Sequence, residues 1–113
     1  MPATQRTRPL KGTVDLLILR ILDLEPRHGV DVADRIEQMT RGAFALGPGS
    51  VFPALHRLEE RGWVRGDWRR TPGGRRAKFY ELTAAGRRRL TDETRNWARV
   101  VQAMTRVLEP DAS

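Results

Sequence analysis

The 113 residues suit a single domain, since domains run to roughly 100–200 residues, and an apolar share of 39% is enough to bury one modest core. The lack of cysteine excludes disulfides, thiolate nucleophiles and cysteine-based zinc sites, and two histidines, His28 and His56, are too few for most histidine-only metal sites. The formal charge is +7, and 19 of the 21 cationic residues are arginine, whose planar fork suits phosphates and guanine edges.

Residues 1–9 read as a polar tail with two prolines. From Thr13 to Leu24 the apolar residues cover most of a helical wheel, which predicts a central buried helix ended by Pro26. Arg27-His28-Gly29 reads as a turn, with His28 more suited to capping it than to ligating anything. Val30, Ala33, Ile36 and Met39 then predict an amphipathic helix stopped near Gly42. Gly47 to Ser50 supply turn and cap residues for a third helix with Val51, Leu55 and Leu58 inward. Pro53 is tolerable in its first turn, which sets its start near Gly49 or Ser50, and Gly62 closes it.

The period then changes to two. Trp63 to Arg70 and Ala77 to Leu82 flank Thr71-Pro72-Gly73-Gly74-Arg75-Arg76, a β-hairpin with a basic tip, beneath which Trp68 and Tyr80 are expected to pack. Thr83 is a good N-cap for a long last helix from Ala84 to about Leu108, before Pro110. Three helices followed by a hairpin are the order of a winged helix-turn-helix, so the fold class is mainly α (α+β) with a long C-terminal helix. The expected domain limits are 10–83 for the winged part and 84–109 for the helix, with tails at 1–9 and 110–113. The longest apolar stretch, Leu16 to Leu19, is far short of the ~20 residues of a membrane span or the apolar run of a signal peptide. A soluble cytoplasmic protein without membrane association is expected.

Between Arg61 and Arg89 lie ten basic and two acidic residues, a net +8, while the other 84 residues carry 11 basic and 12 acidic, a net −1. All the positive excess sits in about a quarter of the chain, the footprint of a polyanionic partner such as double-stranded DNA. On the third helix, Ser50 can donate to phosphate or base edges, Phe52 and Pro53 can meet a thymine methyl, and His56 and Arg57 can reach guanine edges or backbone. Arg57 can equally pair with Glu59 or Glu60 at the surface. On the hairpin, Arg69, Arg70, Arg75, Arg76 and Lys78 have no carboxylate among them and suit a minor groove. Of Arg87, Arg88 and Arg89, which point around the last helix, at least one can reach phosphate and the others read as solvated.

Leu90, Thr94, Trp97, Val101, Met104 and Leu108 step along one face of the last helix, widened by Val100 and Val107. A helix of ~25 residues is ~38 Å long, more than one winged domain can cover, so Trp97, Val100, Val101, Met104, Val107 and Leu108 are expected to meet a second copy. A winged-helix module binding protein or RNA without operator specificity is the competing class, but it need not concentrate so much charge on a wing. No nucleophile–base pair, metal constellation or phosphate-cradling glycine motif points to an enzyme, and no cofactor is expected.

Several stretches resemble the PadR family of bacterial transcriptional regulators: Lys11-Gly-Thr-Val-Asp-Leu-Leu-Ile-Leu, His28-Gly29, Pro48-Gly-Ser-Val-Phe-Pro-Ala-Leu-His-Arg-Leu-Glu-Glu-Arg-Gly-Trp-Val64 and Arg75-Arg-Ala-Lys-Phe-Tyr-Glu-Leu-Thr-Ala-Ala-Gly-Arg-Arg-Arg-Leu90. The likeness spans about residues 10–108. Phe52 stands where the family usually has tyrosine, which removes a hydroxyl donor, and Val30 where an aromatic residue commonly follows His-Gly. The single C-terminal helix resembles the small subgroup that dimerises through it. The resemblance implies a dimeric repressor acting by promoter occlusion, with a tryptophan near the place of Trp97, beside Val101, lining a site for a flat hydrophobic effector.

Overall fold

Pro26 stops the first helix where its ring forbids a helical hydrogen bond, and α1 spans Thr13–Leu24. The computed structural model describes residues 12–109, so the expected tails at 1–9 and 110–113, and Lys11 of the family-like stretch, lie outside the described residues. Ile18, Leu19, Ile21 and Leu22 of α1 are buried, while Leu24 at its end is exposed.

Arg27–His28, expected as a turn, is instead a two-residue strand, β1, pairing antiparallel with a later strand. Its two residues carry no periodicity, so the pairing is set entirely by the distant partner. His28 is also the N-cap of α2, Gly29–Met39, and its Nδ1 accepts the backbone N–H of Asp31 at 3.2 Å. The buried face of α2 is Gly29, Val32 and Ile36; of the expected Val30, Ala33, Ile36 and Met39, Ile36 is buried and Ala33 partly buried against the core. Val30 and Met39 are about half exposed. Steps of three and four, rather than strict threes, follow the 3.6-residue turn.

Helix α3 spans Pro48–Glu60 with Gly47 as N-cap and Pro48 at the start. Pro53 therefore lies inside the helix, beyond the first turn expected for it. The lost N–H leaves the Gly49 carbonyl without its helical donor, and Gly49 is exposed to water that can take its place. Val51, Ala54, Leu55 and Leu58 face the core.

Strands β2, Val64–Arg70, and β3, Arg76–Leu82, form the hairpin, and the sheet order is β1-β3-β2. The register pairs Val64 with Leu82, Gly66 with Tyr80 and Trp68 with Lys78. Alternation puts Val64, Leu82 and Tyr80, all buried, on the core side. Trp68 continues that side but is 62% exposed, against the expectation that it packs beneath the hairpin. Counting along the strand explains this: one pair beyond Gly66–Tyr80, the hairpin has already left the core.

Helix α4, Ala84–Leu108, opens on Thr83, whose Oγ1 accepts the Gly86 N–H at 3.0 Å and donates to the Gly62 carbonyl at 2.7 Å. The Thr83 N–H also donates to the Trp63 carbonyl at 3.1 Å, so the start of α4 is tied to the end of α3. Gly86 is buried, and a Cβ there would overlap the Trp63 carbonyl oxygen. Leu90 is the last buried residue of the helix. No helix among the described residues is long and apolar enough to cross a membrane.

Candidate nucleic-acid interface

Two surfaces carry the sequence-predicted DNA residues. On α3, Ser50, Pro53, His56 and Arg57 are exposed. Phe52, expected at the duplex, turns inward: it is half-buried against the core, and a Cβ on Gly29 would overlap its ring. The expected exposed Phe-Pro step is therefore Pro53 alone. Arg57 finds neither Glu59 nor Glu60; its guanidinium donates to Asp15 of α1 at 2.8 Å. That pairing crosses 42 residues and has no local signal in the sequence.

On the hairpin, Arg69, Arg70, Arg75 and Arg76 are exposed. Arg70 donates to the Gly74 carbonyl at 3.3 Å across the turn. Arg69 lies 3.6 Å from Asp67 and 5.6 Å from the Phe79 ring centre. The Arg76 guanidinium sits 5.7 Å from the centre of the Trp68 ring. Arg75 has no ion-pair partner among the described residues. Lys78 differs from its neighbours: its Nζ is 3.0 Å from Glu59 Oε1, and that hydrogen bond raises its pKa above the ordinary lysine value. Residues 69–78 carry no carboxylate of their own, but two reach them in space: Asp67 of the same hairpin beside Arg69, and Glu59 of α3 on Lys78.

At the hairpin base, Arg65 pairs with Glu81 across the strands, holding the Glu81 carboxyl below the ordinary carboxylate range. Arg89 lies 2.7 Å from Glu93 and 4.6 Å from the Trp63 ring centre, and Arg87 is 3.6 Å from Asp23. Of the three consecutive arginines, Arg88 alone has no ion pair among the described residues.

The far half of α4 presents the other predicted surface. Trp97, Val100, Val101, Met104, Val107 and Leu108 are exposed by 39–77%. Beside them, a pocket of about 200 Å³ is lined by Gly12, Thr13, Leu16, Glu93, Asn96, Trp97 and Val100. Trp97 borders it and Val101 does not. Among the described residues no cluster of metal-ligating side chains occurs.

Three helices, a returning hairpin and a cationic tip beside an exposed helix define a winged helix-turn-helix DNA-binding regulator. The chain matches the transcriptional regulator PadR-like family over residues 18–92, most of its length, and belongs to that family. It is 36% identical over 77 residues to Transcriptional regulator Rv3488 of Mycobacterium tuberculosis, covering 68% of this chain and 71% of that one. Its fold matches a PadR family transcription regulator of Clostridium difficile with a TM-score of 0.76 at 28% identity, over 86% of this chain and 99% of that one. A Streptococcus transcriptional regulator gives a TM-score of 0.79 at 25% identity, covering 92% and 100%.

Proposed function

We propose that this PadR-family chain binds a specific operator as a homodimer and represses by occluding a promoter. The observation that carries the reading is the placement of exposed Arg69, Arg70, Arg75 and Arg76 on the hairpin of the same winged domain whose α3 exposes Ser50, Pro53 and His56. Ser50, Pro53 and His56 read base edges in the major groove, while the wing arginines follow phosphate and the minor groove. In this reading Phe52 acts as packing behind α3, while the exposed Arg57 is tied to Asp15 of α1. The exposed stripe from Trp97 to Leu108 packs against the same stripe of a second copy, which brings two α3 helices to half-sites about one helical turn apart. A small, flat hydrophobic effector seated against Trp97 relieves repression.

Fluorescence anisotropy tests this directly, with a duplex from the chain's own upstream region beside a scrambled duplex over a salt series. Steeply salt-dependent binding with a strong preference for the upstream duplex is the expected result. Equal, weak binding to both refutes autoregulation at that site, and failure to enrich any duplex from a random-sequence library refutes operator specificity altogether.

A further inference from the structure

Among the described residues, Lys78 is the one wing cation paired with a carboxylate of α3. It stands on the core side of β3, opposite Trp68, and its side chain crosses the face of β2 to reach Glu59 in the last turn of α3. The arm can take this path because residue 66 is glycine: a Cβ there would overlap Lys78 Cε. On the way the ammonium group passes 5.4 Å from the centre of the buried Tyr80 ring. The Lys78 and Glu59 side chains are only 28% and 32% exposed, so water screens the pair less than an open surface bridge. Glu59 follows His56 by three residues and so shares its helical row. The bridge thus joins the α3 row carrying His56 to the hairpin segment carrying Trp68 and Arg76.

We infer that Glu59, Lys78 and Gly66 form a strut that sets the angle between the wing and α3, with Lys78 a positioning residue rather than a phosphate ligand. The inference rests on the DNA-binding reading of this surface and assigns one of its cations a different task. The backbone alone leaves that angle soft, because past Gly66–Tyr80 the hairpin has no core beneath it. Holding it in the free protein lets the wing arginines and α3 meet the duplex together, without ordering one after the other has bound.

The charges give the two roles opposite signs. If Lys78 were a phosphate ligand, removing the nearby carboxylate in Glu59→Gln would strengthen binding, and Lys78→Met would flatten the salt dependence by about one unit. The strut requires that Glu59→Gln and Lys78→Met each weaken binding by about three- to tenfold, with the double variant no worse than the weaker single one. The salt slope stays that of the wild type in both. Gly66→Ala keeps every charge but displaces the Lys78 arm, and it should weaken binding as the other two do. The probe is a duplex enriched from a random-sequence library by the wild-type chain. Amide hydrogen exchange on the free proteins supplies the second readout, with Val64–Arg70 and Arg76–Leu82 exchanging faster in all three variants while α1 stays unchanged.

Tighter binding by Glu59→Gln, a salt slope reduced in Lys78→Met, or unchanged wing exchange overturns the strut. If the wild type enriches no duplex, the regulator reading fails, and the exchange measurement still decides whether the strut exists.

Discussion

The hairpin and the far half of α4 solve one problem in two ways. Each runs beyond the core, the hairpin past Gly66–Tyr80 and the helix past Leu90. Each satisfies its own backbone hydrogen bonds, one in a strand ladder and the other in a helix, so neither needs a core beneath it. Their side chains differ completely. The hairpin tip carries arginines, and the end of α4 carries Trp97, Val100, Val101, Met104, Val107 and Leu108. A small domain with a single core can thus hold out two surfaces by overextending regular elements, and residue type alone decides whether each suits a polyanion or an apolar partner.

The contrast with the core itself should give the largest effect. Leu55→Ala, at a fully buried site, is expected to cost about 2–5 kcal/mol in denaturant unfolding. An equal cost for Arg75→Ala on the wing would show that the hairpin tip is part of the core after all. Next comes the helix: Trp97→Asp should halve the mass seen by light scattering, and an unchanged dimer mass would remove that stripe as the contact between copies. On the wing, Arg75→Ala and Arg76→Ala should each flatten the salt dependence of duplex binding by about one unit. Equal losses are expected even though the Arg76 guanidinium sits 5.7 Å from the centre of the Trp68 ring, so a smaller loss for Arg76→Ala would show that this contact holds it off the duplex.

The smallest effect lies at the hairpin base. Arg65 holds the Glu81 carboxyl below its ordinary range, so the pair contributes stability above the unfolded-state value and loses it as pH falls through the folded one. Thermal melts from about pH 6 down to about pH 3 should therefore fall more for the wild type than for Glu81→Gln. Parallel curves would mean that the exposed pair does not stabilise the hairpin.

What could be read in the sequence was what neighbouring residues determine. Pro26 ends α1, Thr83 starts α4, and the change to alternation at Val64 marks the hairpin, all through contacts a few residues long. The third helix and its exposed Ser50, Pro53 and His56 were legible for the same reason. The features that escaped join distant segments: β1 pairs with β3, Arg57 with Asp15, Lys78 with Glu59, and Phe52 packs on Gly29. Trp68 is the instructive case. Its alternation was readable and placed it on the correct side of the strand, but where the core stops along that strand is a property of the helices packed on it, not of the hairpin.

Thr83 gives the molecule a mechanical property. One hydroxyl caps α4 and fastens Gly62, two residues past the end of α3, so the two helices share a pivot with little slack. Helix α4 is then a lever arm: at ~1.5 Å per residue its 25 residues reach ~38 Å, and a tilt of ~5° at the pivot sweeps the Leu108 end through ~3 Å. A displacement of that size at the far end therefore corresponds to only a few degrees at the Thr83 pivot.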